Sequence, residues 1–380
     1  MKNIVFLVAS LCGIFVFQGC QTDDYAPVPT LQFDVDEFKQ NIVDGMGTQW
    51  KGYAFMINQN GMAARSGTYG FWKTGAEGDG IIGADLDTPV YTGSISKTIT
   101  AVAILKAMDD YGEGAAAMLN DPIWPYLNFI PDIHPSMYSI TWRDVLTHRT
   151  GYSSAPAHHQ SVLARAMEPS ASNSTYVYSN VNYGLLRFLL ASLLGEVPVS
   201  TTLSDPEVDQ QLRQTYWDYV ESALFRPIGV TSATVKPSEV HYYNVNDAVT
   251  TPGCEIGDLS QNLGSGGLYM SPEDLARFLA FLNHSNVLMN DVSRTLMYLN
   301  FAGWSDINDP LVSPTQSTHG TYFTKGGSRS CGNGQGARSI IMSFPNDVEI
   351  VVMGNTRGVL GTGAIRNMVV NAYDNAWILK

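Results

Sequence analysis

The sequence predicts a mixed α/β fold of the α+β kind: an antiparallel sheet flanked by helices from both chain ends, a mostly α-helical lobe, and a cleft between the two. Three observations carry this. Strand patterns occupy the ends of the chain, at residues 53–57 and 62–69 and again at 320–325, 337–344 and 348–354. Helical and loop-rich sequence fills the middle, from Asp109 to Val249. Strands joined by short turns pair antiparallel, and strand sets from opposite ends bury their apolar faces by sharing one sheet.

The 380 residues are 44% hydrophobic and 15% charged, which is enough for a large core. The net charge is -13 and there is no Lys/Arg block, which argues against nucleic-acid binding. Met1-Lys2-Asn3 leads into an apolar stretch, 4–17, too short for a comfortable permanent span and suited to a signal-peptide core. Gln18-Gly19-Cys20 then places a small residue before a cysteine, which resembles a bacterial lipoprotein cleavage site, although Phe17 departs from the usual aliphatic residue. On this reading residues 1–19 are removed, Cys20 is lipidated, and residues 20–35 are a polar tether with Pro27 and Pro29 discouraging regular structure. The folded unit is residues 36–380, held at a membrane of the cell envelope by the lipid. Asp23 and Asp24 resemble the surface-export signal of some outer-membrane lipoproteins. The competing reading is an ordinary signal peptide in which Cys20 is incidental.

Phe38, Ile42, Val43 and Met46 recur at helical spacing and predict a first helix over 36–46. Asn60-Gly61 between two strand patterns predicts a hairpin. An irregular segment, 85–93, precedes a largely apolar helix from Ser94 to Met108. In the middle third, helices are expected at 140–147, 182–194 and 205–225, punctuated by Pro122, Pro125, Pro131, Pro156 and Pro169. Pro272 suits the first turn of a helix over 272–283. The late strands form a meander whose last turn is Pro345-Asn346-Asp347, and residues 364–379 have the spacing of a closing helix.

The chemistry is concentrated at Ser94-Ile95-Ser96-Lys97, the one Ser-x-x-Lys in the chain. Residues i and i+3 are helical neighbours, and free N–H groups at a helix start stabilise an oxyanion. A lysine held against an apolar helix loses hydration, which lowers its pKa until it can accept a hydroxyl proton. Such a pair also needs a second proton carrier and a substrate holder. Tyr178-Ser179-Asn180 offers a phenol and a carboxamide on one turn, but four other Tyr-x-Asn triplets begin at Tyr126, Tyr242, Tyr298 and Tyr373. Lys325-Gly326-Gly327 ends a strand, with glycines that admit close approach to a sheet edge. Lys73-Thr74-Gly75 is a competing triplet of the same type that precedes the Ser94 helix. His158-His159 are adjacent, which is poor metal geometry, so neither a metal nor a cofactor is expected.

In this order the three elements resemble the serine β-lactamase and penicillin-binding-protein superfamily, whose signature is Ser-x-x-Lys, Ser-Asp-Asn and Lys-Thr-Gly. The Tyr-x-Asn form is similar to the branch of class C β-lactamases, D-alanyl-D-alanine carboxypeptidases and esterases. Further segments share the resemblance: Leu146-Thr147-His148-Arg149-Thr150-Gly151, Tyr178 to Leu186, Phe225-Arg226-Pro227-Ile228-Gly229-Val230, and the Gly266-Gly267-Leu268 helix entry. It implies a β-lactamase/DD-peptidase-like fold and a serine hydrolase acting on a small-molecule or peptide substrate. It implies Ser94 as the acylated nucleophile, Lys97 and Tyr178 as proton carriers, and Asn180 and Lys325 as holders of a substrate amide and carboxylate. Gly327 would admit the substrate backbone, and the N–H groups of Ser94 and Ser328 would form the oxyanion hole. His148 is expected to be a satisfied loop histidine. Gly326 departs from the threonine common in β-lactamases, and residues 328–334 read as a polar insertion. Cys254 precedes the 264–267 segment, which in the resembling family lies near the cleft end reached by Cys331; this suggests a Cys254–Cys331 disulfide, with two unpaired buried cysteines as the alternative. A non-hydrolytic surface relative that binds such ligands without turnover remains the other function class.

Overall fold

The computed structural model describes residues 29–168, 175–198, 206–305 and 317–380. Residues 1–28 are outside this set, so the expected signal peptide, Cys20 and most of the expected tether lie outside the described residues.

A six-stranded antiparallel sheet organises the molecule. Its order is Ile82–Gly83, Met62–Lys73, Gly52–Gln59, Val348–Gly354, Gln335–Phe344 and Phe323–Gly332. The early hairpin and the late meander thus meet where Gly52–Gln59 pairs with Val348–Gly354. Both Gln335–Phe344 and Val348–Gly354 are buried at every position, because helices cover both faces of the sheet. On one face Phe38 and Ile42 of the helix Val35–Met46 pack with Ile365, Val369 and Tyr373 of the helix Thr362–Asp374 over Phe55, Ile340 and Ile350. On the other, Ala54, Ile341, Val351 and Met353 join the core of the helical lobe through Ile99, Val102 and Phe278. Alternate residues of one strand feed the two cores, as the period of two requires.

The helix Ser96–Tyr111 has 12 buried residues and runs through the lobe without a polar face, so any charged group it carries inward is desolvated. Helix Asn180–Leu193 packs beside it, and Pro206–Tyr219 continues into a π-helical turn, Val220–Phe225.

Several expectations are corrected. The closing helix stops at Asp374, and Trp377–Leu379 is a strand paired with Leu31–Phe33. Residues 31–35, assigned to the tether, therefore belong to the fold. The strand pair satisfies the facing backbone groups of the two segments and sets Trp377 edge-on against Phe33 with ring centroids 5.7 Å apart. The Lys325 strand runs on to Gly332. Residues 328–332 are thus strand, and Asn333-Gly334, both at positive φ, turn the chain into Gln335–Phe344.

Candidate active site

Ser94 lies in a single 3₁₀ turn, Gly93–Ile95, that leads directly into Ser96–Tyr111, rather than in the first turn of the α-helix. The turn keeps the Ser-x-x-Lys relation: Lys97 Nζ is 3.2 Å from Ser94 Oγ. Gly93 has φ +59, and a Cβ there would fall 2.8 Å from both Gly327 Cα and Ser328 N. A Cβ on Gly327 would lie 2.1 Å from Thr92 O and 2.2 Å from Ser339 Oγ. Two glycines facing each other let the Lys325 strand press against the nucleophile turn, which brings the Ser328 amide beside Ser94.

Lys97 is fully buried. It donates to Asn180 Oδ1 at 2.7 Å and to the Ser265 carbonyl at 2.6 Å. A neutral amine has two protons and one lone pair. The two carbonyl-type acceptors take the protons, and the third contact, to Ser94 Oγ, is where the lone pair can receive one. Burial, reinforced by the charge of Lys325, holds the Lys97 ammonium well below the ordinary lysine range, which shifts the balance toward this neutral form. Tyr178 OH lies 2.7 Å from Ser94 Oγ. Lys97 and Lys325 sit 5.0 and 5.4 Å from the centroid of the Tyr178 ring, so two lysine side chains flank the phenol. Tyr178 is the Tyr-x-Asn member that reaches Ser94, and Ser179-Asn180 opens the helix Asn180–Leu193. Lys73 is instead paired with Asp79.

Ser94 and Tyr178 open on a cleft of about 460 Å³ whose far wall is Thr324, Lys325, Gly326 and Ser328 of the edge strand with Thr362, Gly363 and Arg366 of the last helix. Among the described residues no Asp or Glu lines it, and Lys325 and Arg366 are both at least nine-tenths buried. Gly326, the position that departs from Lys-Thr-Gly, has no room for a side chain: a Cβ would meet Thr362 Cγ2 at 2.0 Å. The last helix therefore supplies the side chain that the strand lacks. Sequence reading missed Thr362 and Arg366, for which no local motif exists, and Ser265, which lay within the glycine-rich segment already singled out. Among the described residues no group of three His, Cys, Asp or Glu side chains is placed to hold a metal ion. Cys254 and Cys331 are joined by a disulfide with Cα atoms 6.0 Å apart, at the end of the edge strand away from Phe323.

A serine, a buried lysine and a tyrosine within hydrogen-bonding reach, on a mixed α/β frame beside a cleft lined by Lys325 and Arg366, form an arrangement that can carry out acyl transfer. The chain matches the Beta-lactamase family over residues 38–373 and belongs to it. Its relatives at family level are serine hydrolases. It is 25% identical over 323 residues to the D-alanyl-D-alanine-carboxypeptidase/endopeptidase AmpH of Escherichia coli (strain K12), covering 78% of this chain and 73% of that one. A second match, 26% identical over 205 residues, is the "Putative penicillin-binding protein PbpX" of Bacillus subtilis (strain 168), where it spans 50% of this chain and 45% of that protein. Among solved structures, a β-lactamase/D-alanine carboxypeptidase from Yersinia pestis superposes with a TM-score of 0.63 at 15% identity, over 90% of this chain and 97% of that one. The fold is thus the β-lactamase/DD-peptidase one.

Proposed function

We propose that the chain is a serine acyl-hydrolase that works through a covalent acyl-enzyme on Ser94 and acts on D-alanyl peptides of the peptidoglycan type, on small esters or on β-lactams. The observation that carries this reading is the hydrogen-bond pattern of Lys97. Its two short contacts go to oxygen acceptors and its longest goes to Ser94 Oγ, which leaves a desolvated amine poised as a base.

Ser94 Oγ attacks the acyl carbon as its proton passes to Lys97, directly or by way of Tyr178. The oxyanion forms beside the Ser94 and Ser328 amides. Tyr178 then protonates the leaving group and, after that group departs, takes a proton from the water that opens the acyl-enzyme. Asn180 Oδ1 is engaged by Lys97, which leaves Nδ2 as the group with which Asn180 meets a substrate carbonyl. Lys325 and Arg366, in a cleft whose described lining carries no carboxylate, favour a substrate carrying a carboxylate near the scissile bond. The carboxypeptidase activity in the name of the relative AmpH agrees with that preference. We assign residues 1–19 to a signal peptide and lipidation to Cys20, on the sequence argument above.

The test is a panel of D-alanyl peptides, acyl esters and one β-lactam, read by product formation and by the intact mass of the protein, with Ser94→Ala as control. Turnover with a transient mass increase on Ser94 is expected. Stable mass increase without product would make the chain a ligand-binding relative, and no Ser94-dependent adduct with any substrate would refute the reading.

A further inference from the structure

We propose that His148 is the positioning residue for Tyr178: it holds the peptide groups on both sides of the tyrosine and packs on its ring, and so sets the phenolic oxygen against Ser94. The inference rests on the acyl-transfer reading above. The carbonyl of His148 accepts the Val177 N–H at 2.9 Å. Its Nδ1 accepts the Ser179 N–H at 3.3 Å. One residue thus ties down the backbone immediately before and after Tyr178. The imidazole centroid lies 4.7 Å from the Tyr178 ring and 5.2 Å from that of Tyr183.

The imidazole is itself fixed. Thr150 Oγ donates to Asn182 Oδ1 at 2.8 Å, which orients the amide so that Asn182 Nδ2 faces His148 Nδ1 at 3.2 Å. Two N–H groups converge on Nδ1, an arrangement that fits a neutral ring with its proton on Nε2. Burial first, then the neighbouring Lys325, Lys97 and Arg149, hold the imidazole well below the ordinary histidine range. Lys325, Lys97, Arg149 and the phenols of Tyr176, Tyr178 and Tyr183 are the titratable or charged groups that face it. His148 also has φ +60, a left-handed conformation that costs a branched-at-Cβ-free residue about 1 kcal/mol and persists where the surroundings over-determine it. That conformation lets the backbone carbonyl and the ring of one residue reach the two sides of Tyr178.

The experiment uses the full chain and measures kcat, KM and the pH profile on a chromogenic ester, with the rate at which a fluorophosphonate labels Ser94 as a second readout. His148→Leu removes the Nδ1 acceptor, and His148→Asn keeps an oxygen close to the Nδ1 position. His148→Leu is expected to lower kcat roughly 100-fold with KM changed less than about threefold, and His148→Asn to recover to within roughly tenfold of wild type with an altered acid limb. In a Tyr178→Phe background, where there is no phenol left to position, His148→Leu should cost less than about threefold more. An equal loss in both backgrounds, or an unchanged kcat, overturns the proposal. If His148→Leu does not melt cooperatively, the same cycle with His148→Gln, whose oxygen reaches the Nε2 rather than the Nδ1 position, gives the answer by the same criteria. Fluorophosphonate labelling that persists in Ser94→Ala removes the acyl-transfer reading itself, whatever the His148 variants do.

Discussion

Gly327→Ala tests the contact on which the site depends. The new Cβ would stand 2.1 Å from Thr92 O, a backbone atom one residue before the Gly93–Ile95 turn, and 2.2 Å from Ser339 Oγ. Neither can rotate away, since Ser339 Oγ donates to that same Thr92 carbonyl at 2.8 Å. Relief requires the edge strand to retreat from the nucleophile turn by roughly 1 Å, and a misplacement of that size in a catalytic constellation costs on the order of 100-fold in rate, or about 2.7 kcal/mol. The overpacking itself should destabilise by about 1–3 kcal/mol, a small fall in melting temperature for a chain of this length. Gly326→Ala is the contrast, because its clash is with a side-chain methyl, Thr362 Cγ2 at 2.0 Å, and the next atom, Thr362 Cβ, is at 3.4 Å. Thr362→Ala should therefore rescue the folding of Gly326→Ala, whereas Ser339→Ala should not rescue Gly327→Ala. The assay is kcat/KM on the best substrate of the panel beside a thermal melt. Wild-type kcat/KM and melting temperature in Gly327→Ala, or its full rescue by Ser339→Ala, would refute the argument that strand and turn are held in place by this approach.

Lys97→Ala should abolish fluorophosphonate labelling of Ser94 while the chain still melts cooperatively, and retained labelling would assign the base to Tyr178 alone. Because the Lys97 pKa is lowered, kcat/KM should persist at pH values below the ordinary lysine range and fall as pH drops through the lowered folded-state value, where the amine takes a proton. The lowered pKa of His148 has the same sign for stability: the unfolded histidine binds the proton more readily, so melting temperature should decline as pH falls below the unfolded value of about 6.5. Cys254→Ala with Cys331→Ala opens a loop with a sequence separation of 77. The chain-entropy model puts the loss at roughly 4–5 kcal/mol, seen as a lower denaturant midpoint, with ester turnover at 25 °C changed less than a few-fold. The membrane-bound fraction of protein from a lipoprotein-processing host should disappear in Cys20→Ser; an unchanged distribution would remove Cys20 as the anchor.

By itself the sequence determined the class of fold and the chemical elements of the site. Strand patterns at both ends and helices in the middle are local signals of periodicity, and Ser94, Lys97 and Lys325 stand in short motifs whose residues are neighbours in the chain. The hairpin at Asn333-Gly334 is equally legible, since Asn-Gly between strand patterns is a turn signal, although the polarity of 328–334 points locally to an insertion. Choosing Tyr178 among five Tyr-x-Asn triplets needed a longer resemblance, because a triplet carries no information about which serine it will face. What only the tertiary structure decided are contacts between residues far apart in sequence. Thr362 fills the space beside Gly326, Arg366 enters the cleft one helical turn later, and Ser265 gives Lys97 a carbonyl. The left-handed His148 reaches both sides of Tyr178, and Leu31–Phe33 finds its partner only at the opposite end of the chain. Periodicity and propensity act over a turn of helix or a pair of strands, whereas desolvation, steric exclusion and hydrogen-bond convergence depend on whatever the completed fold places within a few ångströms.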